Sequence, residues 1–266
     1  MKFYFKKNGR LGNAIFRYMA AAYLCIKYNG EYSADKNINN NNLINIIDEN
    51  FIEIINKNIE LPDRNYILLD YFQHDTIYKL YKKEIIDFIK KNDHIVYVDG
   101  YDIETQNGVK IKEIIKNTGK VYDFVLHIRL GDRVNMNGII KIEKLETLID
   151  NMNINDMEDF NEIVIVCDKL NTDYEKEYIE RIKNKLFNKF NKEIIFENNS
   201  ILEDYHIMKN AKILVCSIST LSWCAAFFSE NIKKCYMPNH QSHPLLSNKN
   251  CSFYFPIDNT ELYDVL

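Results

Sequence analysis

The chain has 266 residues, with 34 lysines and arginines against 38 aspartates and glutamates, and 46% of its residues are hydrophobic. This apolar content is sufficient for a packed core and excludes a disordered or acidic solvating protein. The formal net charge of -4 gives no global electrostatic basis for coating nucleic acid, so any bound anion must be held by a local site.

The apolar stretch at the N-terminus is too short for a signal peptide or a membrane anchor. No later stretch approaches the roughly 20 apolar residues that a membrane-spanning helix needs. The six cysteines lie mostly in apolar runs and form no CxxC pair. We therefore expect reduced core thiols in a soluble, cytoplasmic protein that has no membrane span.

The first half of the chain shows a weak alternation of strands and helices. Lys2–Phe5 is predicted as a strand, and a glycine turn at residues 9–13 leads into a helix. An apolar run at 67–69, a helix near 77–89 and a strand at 95–98 follow.

The second half alternates more clearly. Its predicted strands are apolar runs without strict alternation, as expected for strands buried on both faces, at 124–128, 163–167, 194–196, 213–216 and 234–237. The intervening segments at 174–190, 202–208 and 222–229 have helical spacing. Strands that alternate with helices predict a parallel sheet with right-handed crossovers.

A domain boundary is predicted just before the strand at 124–128, so that residues 1–119 and 120–266 form two α/β domains. Two halves of this size suggest paired Rossmann-like domains with parallel sheets facing a cleft. Ligands would bind at the carboxyl ends of the strands.

Four segments at predicted strand ends carry residues suited to ligand binding. The first, G-R-L-G-N at 9–13, lies between a strand and a helix. Its glycines permit a tight turn and close approach of a ligand, and the helix N-terminus favours an anion. The segment matches neither the dinucleotide fingerprint nor a P-loop, and it could simply be a turn.

The second segment, H-I-R-L-G-D at 127–132, ends the first strand of the second half. Strand alternation places His127 and Arg129 on one face, where the planar guanidinium suits a phosphate or carboxylate. The alternative is an ion pair between Arg129 and Asp132 that closes a turn.

The third and fourth segments offer hydrogen-bonding groups at the next strand ends. Asp168 can accept from a ribose or a base edge, or it can cap the following helix. Ser219, Thr220 and Ser222 can cradle a phosphate at a helix start, although serine and threonine are also ordinary N-caps.

Two other functions are not supported by the sequence. Cys224, Cys235, His240, His243 and Cys251 lie close in sequence, but their spacing matches no standard zinc site. Ser219 and Ser222 lack the GxSxG elbow of a hydrolase nucleophile.

In this order, the segments resemble the inverting α1,2-fucosyltransferases and related enzymes that share their GDP-fucose motifs. The matching sequences are G-R-L-G-N-A-I-F-R-Y at 9–18, D-Y-F-Q at 70–73, H-I-R-L-G-D-R at 127–133, C-D-K at 167–169 and S-I-S-T-L-S-W-C at 217–224. Two departures concern charge: the second arginine of the family motif is Leu130 here, and Arg133 is a candidate to restore that cation.

The resemblance implies a GT-B arrangement of two Rossmann-like domains, with the first domain on the acceptor side and the second binding the nucleotide sugar. It also implies that Arg129 binds the donor diphosphate, that His127 lies against the guanine or ribose, and that Asp168 accepts from the guanine edge.

The same resemblance assigns Ser219, Thr220 and Ser222 to phosphate or ribose, and brings Gly12 and Asn13 near the pyrophosphate and sugar. The implied reaction is inverting transfer of fucose from GDP-fucose to a galactosyl hydroxyl of a glycan acceptor, without a metal or other cofactor.

Asp132 is the candidate general base, although it could instead orient Arg129. The alternatives are a transferase that uses another nucleotide sugar, and a non-catalytic protein that binds a nucleotide sugar or glycan.

Overall fold

The computed structural model describes residues 1–5, 9–33, 44–48, 50–70, 72–96, 98, 108–136, 138–153, 160–239 and 254–265. The chain divides into two compact units, of which unit 1 spans Met1–Lys116 and unit 2 begins at Asn117. The boundary predicted from the sequence falls a few residues further along the chain.

Unit 1 is built on a parallel four-stranded sheet in the order β2-β1-β4-β3. Its strands are β1 (Lys2–Phe5), β2 (Glu31–Ser33), β3 (Ile44–Ile47) and β4 (Asn65–Leu68). Its helices are α1 (Leu11–Tyr28), α2 (Phe51–Asn56), α3 (Asp75–Leu80), α4 (Lys82–Lys91) and α5 (Ile111–Ile115), and an antiparallel pair is formed by β5 (Ile95–Val96) and β6 (Val109–Lys110).

The helix predicted for residues 77–89 is two helices, α3 and α4, separated at Tyr81. The backbone of Tyr81 is not helical, with φ -111° and ψ 21°. Its ring packs edge-on against that of Tyr23 in α1, with centroids 4.7 Å apart. This tertiary contact accompanies the break in a continuous apolar periodicity. The strand expected at 95–98 lies outside the parallel sheet, because among the described strands β5 pairs with β6 alone.

Unit 2 is built on a parallel six-stranded sheet in the order β12-β11-β10-β7-β8-β9. Its strands are β7 (Tyr122–Ile128), β8 (Glu162–Cys167), β9 (Glu193–Glu197), β10 (Ala211–Val215), β11 (Lys234–Pro238) and β12 (Thr260–Tyr263). Its helices are α6 (Ile142–Asn151), α7 (Asp173–Phe190), α8 (Ile201–Lys209) and α9 (Thr220–Phe228).

The core of unit 2 lies where α6 and α7 cover the sheet. Its cluster of buried apolar side chains includes Phe124, Ile165, Ile182 and Leu186, and extends to Leu130 just beyond β7. Two α/β units, each with its own parallel sheet, confirm the fold class predicted from the sequence. The cleft between the domains stays a prediction. In the described part of the chain, no helix is long and apolar enough to cross a membrane.

Candidate functional site

The strand order of unit 2 reverses next to β7. From β7 the chain continues outward through β8 and β9, then returns to place β10 on the other side of β7. The connections that follow β7 and β10 therefore leave in opposite directions at the carboxyl ends of these strands. Such a reversal opens a crevice where doubly wound sheets bind ligands. Three of the four segments selected from the sequence lie at this edge.

A hydrogen bond joins the ends of β7 and β10 at the reversal. His127 Nδ1 lies 2.8 Å from Ser217 Oγ, and both side chains are buried. Burial, together with a smaller effect of the positive charge of Arg129, lowers the pKa of His127 from 6.5 to about 3. The imidazole is therefore neutral near pH 7, and its Nδ1 is hydrogen-bonded to Ser217.

Arg129 and Asp132 form the ion pair that the sequence analysis gave as the alternative to ligand binding. Arg129 Nη2 lies 3.3 Å from Asp132 Oδ2 and 3.4 Å from Oδ1. These distances exceed the roughly 2.7–2.9 Å of a strong charge-assisted hydrogen bond. The Arg129 side chain is only 14% exposed, against 38% for Asp132. Arg129 is thus a largely desolvated cation at the end of β7. It is paired with Asp132, but at distances longer than those of a tight bidentate salt bridge.

Gly131 brings the second and third segments together. Its φ of +38° is a backbone conformation that favours glycine. A Cβ at this position would lie 3.3 Å from Asp168 Oδ2, so the turn packs closely against that carboxylate. Asp168 itself is exposed beyond the end of β8. It is therefore accessible to a ligand at the sheet edge.

Sequence reasoning missed a second carboxyl group in this region, that of Asp204 in the first turn of α8. Burial raises the pKa of Asp204 to about 6; hydrogen bonds from Asn199 oppose this shift, whereas the negative charges of Asp168 and Glu197 add to it. In a sequence, an acidic residue in the first turn of a helix is readily explained by its favourable interaction with the helix dipole, so it does not stand out as a site residue. Its position just after β9, at the same sheet edge as Asp168, is the signal that could have identified it.

The hydroxyl-rich turn after β10 mainly caps α9. Ser219 Oγ accepts from the backbone N–H of Leu221 at 3.2 Å, and Ser222 Oγ donates to the Ser219 carbonyl at 3.1 Å. Ser222 is fully buried, whereas Thr220, the first helical residue, is partly exposed. The structure therefore places Ser222 in the packing of α9. The serine that bridges to His127 is Ser217, to which the sequence analysis assigned no role.

Gly12 and Asn13 belong to unit 1, in the first turn of α1. The Asn13 side-chain oxygen accepts from Gln73 Nε2 at 3.3 Å, which joins the G-R-L-G-N turn to the D-Y-F-Q segment. Within that segment Tyr71 lies outside the described residues. Phe72 is buried at φ +53°, a strained conformation for a residue with a side chain.

Arg17, four residues beyond Asn13 in α1, is buried and contacts the D-Y-F-Q segment. Its Nε donates to the Asp70 carbonyl at 2.9 Å. Arg17 therefore supports the backbone of the D-Y-F-Q segment from inside unit 1.

Among the described residues, no three His, Cys, Asp or Glu side chains lie close enough to hold a metal ion. Cys224 and Cys235 are buried, and burial raises the pKa of each thiol well above its usual range. Their proposed neighbours His240, His243 and Cys251 lie outside the described residues.

No protein-family model matches the chain, and no curated protein matches it. Among solved structures, the chain is similar to E. coli heptosyltransferase WaaC with ADP, at 8% identity and a TM-score of 0.45 over 99% of this chain and 93% of that chain. The same enzyme with ADP-2-deoxy-2-fluoro heptose gives 9% identity and a TM-score of 0.43, over 98% and 92% of the two chains.

A mutant of Arabidopsis thaliana FUT1 in complex with GDP gives 9% identity and a TM-score of 0.42, over 89% of this chain and 69% of that chain. The α/β class stated above rests on the two parallel sheets of the chain itself.

Proposed function

We propose that this chain is an inverting glycosyltransferase that moves fucose from GDP-fucose to a galactosyl hydroxyl of a glycan, forming an α1,2 linkage without a metal. The observation that carries the proposal is the hydrogen bond between His127 and Ser217 at the strand-order reversal. Together with the contact of Gly131 with Asp168, it gathers three separately selected segments at the edge where such sheets bind nucleotides.

Each group at this edge has a chemistry that suits a nucleoside diphosphate. Arg129 supplies a planar cation for the diphosphate. The carboxylate of Asp168 accepts from the N–H groups of guanine, and neutral His127 offers Nε2 to the guanine or ribose. Thr220 supplies a hydroxyl for phosphate or ribose. The turn capped by Ser219 supplies the N-terminus of α9.

The reaction is a single displacement at the anomeric carbon. The acceptor oxygen forms the new bond, the bond to the diphosphate oxygen breaks, and the acceptor proton passes to a base. The developing negative charge on the diphosphate is the feature that the site must stabilise. A charge-assisted hydrogen bond from Arg129 is worth about 1.5–3 kcal/mol, or roughly 10–100-fold in rate when it acts only in the transition state.

The test is turnover of GDP-fucose with a panel of galactosyl acceptors, measured as release of GDP and as fucosylated product. We expect Arg129→Ala to remove most of the transfer activity, and Arg129→Lys to be poor because a point charge cannot reproduce the planar fork. Arg181→Gln is the matched control, since Arg181 lies on the exposed face of α7 and pairs with Glu146. Near-normal turnover by Arg129→Ala would contradict the assigned role.

The donor panel also separates the alternatives. Turnover with another nucleotide sugar in place of GDP-fucose would identify a different transferase. Binding of GDP-fucose without turnover on any acceptor would identify a binding protein. Failure to bind any nucleotide would overturn the proposal altogether.

Asp132 is the proposed general base, a role that can add about 10²–10⁴-fold to the rate. Asp132→Asn should then retain the affinity for GDP and lose transfer. Because Asp132 also pairs with Arg129, an equal loss of binding and transfer would show that it orients the arginine instead.

A further inference from the structure

Arg133 is a second arginine on the turn that follows β7. It lies in the short 3-10 helix Gly131–Met136, and its side chain is partly buried. Its Nε is buried and has no hydrogen-bond partner among the described residues. Among the ion pairs between described residues, none includes Arg133. A buried guanidinium N–H without an acceptor is costly, and such a group calls for an explanation.

The charge balance of the turn depends on Arg133. The charge of Arg129 is offset by Asp132, with which it is paired. His127 is neutral near pH 7, and Leu130 is an apolar residue buried in the core. The net positive charge of residues 127–133 is therefore the charge of Arg133. A diphosphate carries at least two negative charges, which one neutralised arginine balances poorly.

Gly138 provides the space in which the Arg133 side chain lies. The backbone N–H of Gly138 donates to the Arg133 carbonyl at 2.9 Å, and the Arg133 N–H donates to the Leu130 carbonyl at 2.8 Å. A Cβ on Gly138 would stand 3.1 Å from Arg133 Cδ and 3.6 Å from Nη1. Gly138 is buried and does not have a positive φ, so the reason for glycine here is close approach rather than backbone conformation.

We propose that Arg133 is a second phosphate-binding residue of the donor site, held in position by Gly138. The inference rests on the proposed function, because it names a further contact of the same nucleotide site. The anion accepts from the guanidinium of Arg133, for whose Nε the described residues supply no acceptor. It also pairs with the net positive charge that remains in the turn after Asp132 has offset the charge of Arg129. Two arginines then bind the diphosphate: Arg129, which is paired with Asp132, and Arg133, which packs against Gly138.

The experiment compares GDP affinity, by calorimetry on the full chain, among wild type, Arg133→Gln and the control Arg181→Gln. We expect Arg133→Gln to weaken GDP binding by roughly 10–100-fold, which is the value of a charge-assisted hydrogen bond, and Arg181→Gln to leave it unchanged. The dependence of GDP affinity on salt should also become shallower in Arg133→Gln, because one fewer cation meets the phosphates.

Gly138→Ala gives an independent test that keeps the arginine and its charge. The added methyl group must displace Arg133 by a few tenths of an ångström, so GDP affinity should fall by less than in Arg133→Gln. If Arg133→Gln fails to fold, Gly138→Ala and Arg133→Lys still decide the matter, and unchanged GDP affinity in both overturns the inference.

The experiment distinguishes failure of the role proposed for Arg133 from failure of the proposed function. Wild-type binding of GDP with unchanged affinity and salt dependence in Arg133→Gln overturns the role of Arg133 alone. Absence of binding by the wild type to GDP, ADP and UDP overturns the proposed function as well.

Discussion

His127 is a titratable group that folding holds in its neutral form. Burial, with a smaller contribution from Arg129, lowers its pKa to about 3, against 6.5 for an exposed imidazole. Between these two pH values the unfolded chain binds a proton that the folded chain does not. The free energy of unfolding must therefore fall as the pH falls from about 6.5 towards 3, and above 6.5 His127 has no such effect.

We predict that His127→Gln makes the protein less sensitive to acid. From pH 7 to pH 5, the wild type should lose about 2 kcal/mol more unfolding free energy than the variant, because the variant has no imidazole to protonate. Urea unfolding at both pH values measures this difference. Glutamine can still accept from or donate to Ser217, so the variant is expected to fold. Equal acid sensitivity of the two proteins would show that His127 titrates normally.

The residues of the site differ in how far sequence could predict them. Arg129 and Asp168 each follow a predicted strand. Because parallel strands end at the same edge of a sheet, the sequence alone predicts that these two residues lie at one edge. Ser217 and Gly138 became evident only from their distances to His127 and Arg133. No local pattern distinguishes a glycine that makes room for an arginine from one that forms a turn.

Among the elements, α7 begins with a capping box that also terminates the loop after Asp168. Thr172 Oγ1 accepts from the Glu175 N–H at 3.2 Å, and Glu175 Oε2 accepts from the N–H groups of Thr172 at 2.8 Å and Asn171 at 2.6 Å. Glu175 is 3% exposed. A buried carboxylate that binds two backbone donors fixes the path by which the chain leaves β8.

We predict that Thr172→Ala lowers the free energy of unfolding by about 1 kcal/mol, since the N-cap hydroxyl is lost. Thr172→Ser keeps that hydroxyl and should remain close to wild type. Urea unfolding at pH 7 compares the three proteins. Equal stability of the alanine and serine variants would contradict the capping role.

The elements of unit 2 were predicted best where strands are buried on both faces. The runs at 124–128 and 163–167 correspond to β7 and β8 because buried parallel strands are continuously apolar. β12 was missed because its sequence T-E-L-Y is short, mixed and largely exposed at the sheet edge. The break between α3 and α4 was missed because helical periodicity continues across Tyr81.

For the whole molecule, the alternation of elements predicted parallel sheets but not the order of their strands. The reversal beside β7 depends on the pairing of β7 with β10, whose registered residues Phe124 and Ile213 are far apart in sequence. Long-range pairing of this kind leaves no signal in composition or periodicity. The location of the site edge therefore needed the structure.

Unit 2 contains its own core and the residues of the proposed nucleotide site other than Gly12 and Asn13. We predict that residues 117–266, expressed alone, fold cooperatively and bind GDP, while residues 1–116 bind none. Transfer should be lost in both pieces, because the family resemblance implies that the first domain is on the acceptor side. Calorimetry and thermal unfolding test this, and an isolated unit 2 that folds without binding GDP would contradict it.

Leu130 limits where the turn after β7 can carry a positive charge. It lies in the core with Ile128 and Ile140, at 1% exposure. Replacing it with arginine would bury an unpaired charge at a cost of about 3–5 kcal/mol, a large share of the stability of a typical domain. A positive charge in this turn is therefore tolerated only at a position outside the apolar core, such as that of Arg133.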